Sequence, residues 1–208
     1  PPGLKKLSSV PNKPVRFGSQ EEFEREWFRP ITKAQLLDLK MLYPNAKIVS
    51  GASEGQIETK FKALNYNVSV FVNDIPELAS HRFVEDSGLY IGANITLSDL
   101  ESVCEHLSKT LTRGAGQVYD TIAQQLKFFA GRQIRNVATP AGNLATASPI
   151  ADLNPILVAA DAVLTVESVD GTRQLSMSDF FISYRKTQLE EHEIITEIFI
   201  SHTSLKLL

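Results

Sequence analysis

The most informative part of the sequence is Pro140-Ala141-Gly142-Asn143-Leu144-Ala145-Thr146-Ala147-Ser148-Pro149-Ile150-Ala151-Asp152-Leu153-Asn154-Pro155. It combines small residues with amide and hydroxyl side chains and carries almost no bulky charge. Because little side-chain bulk lets backbone N–H groups approach a ligand closely, the segment predicts a site for a phosphate or sugar-phosphate chain. The alternative is an irregular loop before a helix that Asp152 caps.

A second segment, Ile48-Val49-Ser50-Gly51-Ala52-Ser53-Glu54-Gly55, has similar chemistry. A strand that runs into a glycine-containing turn leaves N–H donors unpaired, and these suit a diphosphate. Since a carboxylate repels phosphate, we expect Glu54 to face a ribose hydroxyl or a ring nitrogen. An ordinary strand-to-helix turn is the alternative, and the segment is neither GxGxxG nor a P-loop. Together the two segments predict a long cofactor whose diphosphate contacts the amides of both.

The composition of the chain argues against several classes of function. The chain has 208 residues and a net charge of −3, so no basic excess indicates a nucleic-acid partner. No apolar stretch approaches the roughly 20 residues that span a bilayer, so we expect no membrane association. One cysteine and four histidines without ligand spacing predict no metal site and favour a reducing, intracellular compartment. No arrangement of side chains typical of nucleophilic catalysis stands out, so we predict no catalytic residue.

The pattern of elements divides the chain into three parts. Residues 1–24, which are rich in proline and lysine, are predicted to be a linker from a preceding domain. Residues 25–85 predict a small α/β unit, and residues 86–208 predict an α+β unit with antiparallel strands. Capping boxes at Thr32/Gln35 and Ser98/Glu101 predict two helix starts, and Asp170-Gly171 predicts a hairpin turn.

Three segments of the chain carry a family resemblance: residues 128–139, the segment that continues from there through Pro155, and residues 180–187. Together they resemble the FAD-binding domain of xanthine dehydrogenase, a member of the molybdenum hydroxylase family. The resemblance covers most of residues 25–200 in one order. It implies an α+β FAD-binding flavoprotein module, with a third subdomain absent because the chain stops at Leu208. We therefore expect the chain to be only part of the enzyme. The family often has asparagine, threonine and a bulky aliphatic residue where this chain has Ala52, Ser53 and Gly55.

The resemblance also implies which residues bind the cofactor. The Ile48–Gly55 segment would hold one face of the diphosphate, Asp152 would lie near the sugar chain, and Ile195 would pack against a ring. The complete predicted FAD site is Ile48, Val49, Ser50, Gly51, Ala52, Ser53, Glu54, Gly55, Phe129, Ala130, Thr139, Gly142, Asn143, Ala145, Thr146, Ser148, Ile150, Asp152 and Ile195.

The implied activity is that of an oxidoreductase in purine metabolism. Electrons from hypoxanthine or xanthine oxidation at molybdopterin would cross 2Fe-2S clusters to FAD in this chain, and then reach NAD⁺ or oxygen. The iron–sulfur and molybdenum domains would be the partners, within a cytoplasmic or peroxisomal enzyme that is a homodimer. Two alternatives remain open: the FAD module of an aldehyde oxidase, and a cofactor-free interaction module on the same fold.

Overall fold

The computed structural model describes residues 13–18, 25–111 and 114–202. Two sheets of different type organise these residues, and each is covered by helices. A mixed four-stranded sheet comes first along the chain, and an antiparallel five-stranded sheet follows. The predicted α+β class with an antiparallel second unit is confirmed.

The first unit contains a sheet with the strand order β1-β2-β4-β3. Strand β2 pairs antiparallel with β1 and parallel with β4, and β4 pairs parallel with β3. Its elements are β1 (Val15–Gly18), β2 (Glu26–Arg29), α1 (Lys33–Leu42), β3 (Lys47–Val49), α2 (Gly55–Phe61), β4 (Val68–Phe71) and α3 (Pro76–Ala79). Apolar residues from these elements and from the segments that join them contribute to its core, namely Phe28, Leu36, Ala46, Val70, Val72, Ile75 and Leu78.

The second unit contains a sheet with the strand order β5-β6-β11-β7-β8 and a separate two-stranded hairpin. Its elements are β5 (His81–Val84), β6 (Gly88–Gly92), α4 (Leu97–Thr110), α5 (Gln117–Phe128), α6 (Arg132–Arg135), α7 (Pro140–Thr146), α8 (Asn154–Ala159), β7 (Val163–Ser168), β8 (Gly171–Ser176), α9 (Met177–Phe180), β9 (Phe181–Ser183), β10 (Lys186–Thr187) and β11 (Ile194–Ser201). Helices α4 and α5 bury Leu100, Cys104, Ile122 and Leu126 at helical spacing in the core of this unit. This spacing gives each helix one apolar face, which packs into the core.

Strand β11 connects the two units. Most of the strand lies between β6 and β7, but Ile194 at its start belongs to the core of the first unit. Polar contacts reinforce this junction, because the Lys33 Nζ atom lies 2.8 Å from Glu167 Oε1 and the Thr196 hydroxyl donates to the same oxygen over 2.7 Å. The junction therefore fixes the two units against each other.

Two predicted boundaries are wrong. Residues 15–18 of the predicted linker form β1 and pair with β2, because the backbone of Val15–Gly18 completes an edge of the first sheet. The remaining linker residues 1–12 and 19–24 lie outside the described residues. Residues 81–84, assigned to the first unit, form β5 and pair with β6 in the second sheet. The observed division therefore falls near residue 80 and not at residue 85.

The predicted helix starts were partly right. Thr32 caps α1 by accepting a hydrogen bond from the Gln35 amide, as predicted. Helix α4 is capped by Thr96 and Asp99, so the predicted Ser98/Glu101 capping box is wrong. In the described part of the chain, every helix is too short or too polar to cross a membrane.

Candidate functional site

A cleft with a volume of about 1120 Å³ lies between the two units. One wall is the turn that follows β3, and the opposite wall runs from Phe129 to Asp152, with Ile195 of β11 between them. All nineteen residues of the predicted FAD site line this cleft. The structure therefore brings together residues that are up to 147 positions apart, from Ile48 to Ile195, although their contact with FAD stays a prediction.

The first wall presents a row of unused hydrogen-bond donors. Ala52 adopts a left-handed conformation with φ 52°, which separates the end of β3 from the first turn of α2. Within the described residues, the amides of Gly51, Ala52, Ser53, Glu54 and Gly55 donate to no protein acceptor. Successive amides around a left-handed residue form a concave site for an anion. This wall therefore offers a diphosphate a set of backbone donors.

Gly51 allows the turn to touch the opposite unit. A Cβ atom at this position would lie 2.2 Å from the carbonyl oxygen of Val137. No side chain can occupy that space, so glycine is required for close packing and not for a special φ angle. Ser50 adds a polar connection, because its hydroxyl donates to Asn73 Oδ1 over 2.7 Å and Asn94 Nδ2 donates to the same oxygen over 3.2 Å.

We expected Glu54 to face a ribose hydroxyl or a ring nitrogen, and in the structure its carboxylate, which lines the cleft, contacts two cations. Its carboxylate lies 3.4 Å from Lys62 Nζ and 3.5 Å from Arg185 Nη1. Lys62 follows α2, whereas Arg185 belongs to the β9–β10 hairpin on the other side of the cleft. The carboxylate is therefore engaged by two cations of the protein.

The second wall is helical where an extended loop of free amides was expected. Thr139 caps α7 by accepting from the Gly142 amide over 3.2 Å, and the Asn143 amide donates to the Thr139 carbonyl over 3.1 Å. Pro140 suits the first turn of this helix because it has no N–H group to satisfy. The prediction that amides of Gly142 and its neighbours converge on the diphosphate is therefore wrong, since the helix already uses them.

Side chains take the place of amides on this second wall. The Oδ1 atom of Asn143 is buried and has no hydrogen-bond partner among the described residues. Buried polar atoms in native proteins normally have a partner, so an unpaired acceptor facing a cleft fits a ligand that carries a donor. Thr146 donates its hydroxyl to the Gly142 carbonyl over 2.8 Å, and Ser148 Oγ accepts from the Ile150 amide over 3.4 Å.

Asp152 is not the helix cap that the sequence suggested. Helix α8 begins at Asn154 behind Leu153, and no side chain caps it. Among the described residues Asp152 forms no ion pair or side-chain hydrogen bond, although it lines the cleft. Its carboxylate therefore remains available to accept hydrogen bonds from the hydroxyl groups of a polyol.

The side chain of Arg135 stabilises the turn at Phe129 and Ala130. Ala130 has φ 44°, a conformation that costs about 1–2 kcal/mol for a residue with a Cβ atom. Arg135 offsets this cost because its Nη1 atom donates to the carbonyls of Phe129 and Ala130 over 3.1 and 3.2 Å. The arginine thus positions an apolar part of the wall without contacting a ligand itself.

The sequence interpretation missed a polar cluster at the first wall. Lys47 Nζ lies 2.5 Å from Glu58 Oε2, and the Tyr66 hydroxyl donates to the same oxygen over 2.8 Å. Burial opposes ionisation of Glu58, but the hydrogen bonds from Lys47 and Tyr66 outweigh it and lower the pKa of Glu58. Lys47 and Tyr66 lie 11 and 8 positions from Glu58 and outside its helix, so no helix or strand period could have joined the three residues.

A buried lysine was missed as well. Lys40 is only 6% exposed, lines the cleft, and donates to the Pro44 carbonyl oxygen. Burial lowers the pKa of Lys40, and the charge of Glu191 acts against that change. The lysine occupies the inward face of an otherwise ordinary amphipathic pattern, so its burial could not be predicted.

Comparison with known proteins gives a consistent result. Xanthine dehydrogenase from Blastobotrys adeninivorans is 57% identical over 98% of this chain, and xanthine dehydrogenase from Emericella nidulans is 46% identical over 93%. Nicotinate hydroxylase from Emericella nidulans is 41% identical over 96% of the chain. The chain spans about 14% of the length of the two xanthine dehydrogenases and 15% of the hydroxylase.

A solved structure shares the fold. Carbon monoxide dehydrogenase from Hydrogenophaga pseudoflava superimposes with a TM-score of 0.74 at 25% identity, covering 91% of this chain and 60% of that one. Residues 21–202 match the family described as FAD binding domain in molybdopterin dehydrogenase. This match spans most of the chain and includes both walls of the cleft. The chain therefore belongs to the family of FAD-binding domains in molybdopterin dehydrogenases.

Proposed function

We propose that the chain is the electron-transferring FAD module of a xanthine dehydrogenase-type molybdenum hydroxylase. In the complete enzyme, electrons from hypoxanthine or xanthine would pass through iron–sulfur clusters and this module to NAD⁺ or oxygen. The observation that carries the proposal is the cleft, which is lined both by residues with unpaired amides and by Asn143, whose buried amide oxygen is unpaired. The 57% identity to a xanthine dehydrogenase supports the choice of purine substrates.

The residues of the cleft match the parts of FAD. The amides of Gly51–Gly55 suit the diphosphate, and Asp152 suits the hydroxyl groups of the ribityl chain. Apolar contact comes from Ile195, which is 6% exposed, and from Phe129. When bound, FAD supplies the redox chemistry, and the protein supplies binding, orientation and a defined electrostatic environment.

FAD binding is tested by titrating the 208-residue chain with FAD and following flavin fluorescence, with riboflavin as the matched control. Riboflavin has no diphosphate, so we expect it to bind much more weakly than FAD. Equal affinity for both ligands would contradict the role of the unpaired amides. Absence of any flavin binding, in this chain and in the complete enzyme, would support the cofactor-free interaction module.

The electron acceptor is tested in the complete enzyme. Stoichiometric loss of the visible flavin absorbance on anaerobic addition of NADH would support a dehydrogenase. Flavin that does not react with NADH, but is reoxidised by oxygen after reduction by substrate, would support an oxidase, including the aldehyde oxidase alternative. A nicotinate hydroxylase is also 41% identical to this chain. Measuring the reduction of the complete enzyme by xanthine and by nicotinate therefore tests which of the two is the substrate.

The family likeness also supports a homodimeric enzyme with separate iron–sulfur and molybdenum domains. The single cysteine is compatible with a cytoplasmic or peroxisomal location, where disulfides are rare. Sedimentation of the complete enzyme and fractionation of the cells that make it would test these two points.

A further inference from the structure

Glu54 presents an electrostatic problem inside the diphosphate-binding turn. Its own amide belongs to the row of unused donors, while its side chain carries a negative charge. A carboxylate next to an incoming diphosphate repels it, and the repulsion is strong in a partly buried cleft because the surroundings are less polarisable than water. Such a turn needs a compensating cation if it is to bind an anion.

Two cations meet the Glu54 carboxylate, and they come from different parts of the fold. Lys62 reaches Glu54 Oε1 over 3.4 Å from the end of α2 in the same unit. Arg185 reaches the same oxygen over 3.5 Å from the second unit. The Arg185–Glu54 contact therefore spans the cleft, and both side chains line it.

The hairpin that carries Arg185 is built to present this side chain. Strands β9 and β10 leave Tyr184 and Arg185 as a two-residue turn, because Ser183 pairs with Lys186. Arg185 adopts φ 54°, and its guanidinium carries a permanent positive charge. The side chain of Glu54 is 29% exposed and that of Arg185 is 36% exposed, so solvent screens the pair only in part.

We propose that Arg185 is a positioning residue for the cofactor: it neutralises Glu54 across the cleft and thereby makes the turn able to accept a diphosphate. Lys62 contributes to the same neutralisation from its own side. The inference rests on the proposed FAD binding. It adds that the affinity of the turn for the diphosphate depends on a residue of the second unit. Diphosphate affinity is then highest when the β9–β10 hairpin lies against the turn.

The test is a double-mutant cycle on FAD affinity with Arg185→Gln, Glu54→Gln and the double variant. Arg185→Gln should weaken FAD binding about tenfold, because it leaves the Glu54 charge unopposed from the second unit. Glu54→Gln should bind FAD at least as tightly as the wild type. The double variant should return to within about threefold of the wild type, because removing Glu54 removes the need for the cation.

Arg82→Gln is the matched control. It removes the same charge from an arginine that pairs with Glu197 on β11, and neither residue lines the cleft. FAD affinity should be unchanged in this variant. A double variant as weak as Arg185→Gln would overturn the proposal, because Arg185 would then act on the ligand directly. Unchanged affinity in Arg185→Gln would also overturn it.

A second titration separates this inference from the proposed flavin function. Inorganic pyrophosphate is added to the same variants, and the amide signals of Gly51 and Gly55 are followed by NMR. If the wild type binds pyrophosphate but no flavin, the flavin proposal fails. The role of Arg185 is then still tested, because the pyrophosphate affinities of the variants should follow the pattern expected for FAD: weaker binding in Arg185→Gln and recovery in the double variant. If pyrophosphate does not shift these amide signals in the wild type, the turn is not an anion site and the inference fails.

Discussion

Three alanines in or beside the cleft adopt a backbone conformation that alanine disfavours. Ala52, Ala130 and Ala147 have φ angles of 52°, 44° and 45°, and all three lie in or beside the walls of the cleft. Strained residues persist where the surrounding structure determines their conformation, and they concentrate at functional sites. At the position of Ala52 the family often has asparagine, which tolerates a positive φ angle better than alanine does. The left-handed conformation of Ala52 explains why asparagine suits this position.

Gly142→Val should remove FAD binding without unfolding the protein. A Cβ atom at this position would meet only Thr139 Oγ1, at 3.1 Å, so a branched side chain would extend into the cleft. Valine is a better helix former than glycine, and this gain offsets the small shift that the 3.1 Å contact requires of the Thr139 hydroxyl. Flavin titration should show a loss of affinity of at least about tenfold with an unchanged unfolding midpoint. Retention of the normal flavin content in this variant would refute the position of the ligand.

Gly51→Ala should damage the contact between the two units. The added methyl group would lie 2.2 Å from the Val137 carbonyl oxygen, which is backbone and has little freedom to move. Overpacking of this kind costs about 1–3 kcal/mol of unfolding free energy, and it displaces the diphosphate-binding turn as well. Urea denaturation and flavin titration measure the two effects. Gly55→Ala is the control for the denaturation, because its Cβ atom would find nothing nearer than Ala52 Cβ at 4.0 Å.

At the scale of elements, the sequence predicted which helices exist better than where they begin. Thr96 and Asp99 satisfy the capping pattern as well as Ser98 and Glu101 do, so the pattern alone could not choose between them. Tertiary contacts decide the matter: Leu97 is fully buried, and its amide donates to the Ala138 carbonyl over 2.9 Å. The sequence pattern also did not show that Thr139 caps a helix. We expected a loop here, and the structure has α7.

Thr96→Ala should lower the unfolding free energy by about 1 kcal/mol, the usual effect of removing an N-terminal cap. The Thr96 hydroxyl oxygen accepts from the Asp99 amide over 3.0 Å, and the hydroxyl donates to the Asp99 carboxylate over 2.6 Å. Ser102→Ala is the matched control, since this exposed hydroxyl only donates to the Ser98 carbonyl within the helix. An equal effect of the two substitutions on the urea midpoint would argue against Thr96 as the cap.

At the scale of the whole molecule, the cleft depends on connections that no local pattern reveals. The sequence indicated both walls, because each is a short, recognisable segment. It did not reveal the ion pairs that join distant parts of the chain, such as Lys33 with Glu167 or Arg173 with Glu193. Such partners are chosen by the packing of the sheets, and the residue types alone permit many pairings.

The Arg173–Glu193 pair organises the segment between β10 and β11, which borders the cleft. Arg173 Nε and Nη2 donate to the Glu193 carboxylate over 2.6 and 2.7 Å, and Nη2 also donates to the Gln188 carbonyl over 2.8 Å. The hydrogen bonds from Arg173 are the main cause of a lowered pKa for Glu193, whose side chain is only 8% exposed.

This pair predicts a pH dependence of stability. A carboxylate whose folded pKa lies below its ordinary value of about 4.3 stabilises the fold above that pH, and the contribution is lost as the pH falls through the folded pKa. Glu193→Gln should therefore lower the unfolding free energy by about 1–3 kcal/mol at neutral pH, and the difference from the wild type should shrink in acid. Denaturation from neutral pH to acid measures this change. A constant difference would contradict the assignment, and exposed Glu85→Gln is the control.

The position of Ile194 has a consequence for biosynthesis. This residue completes the core of the first unit, yet it follows the strands and helices of that unit by more than a hundred positions. A nascent chain leaves the ribosome from its N-terminal end, and domains usually fold in that order as they emerge. Here the first unit leaves the ribosome more than a hundred residues before the strand that completes its core, so its apolar interior stays open on one side while the intervening residues are made.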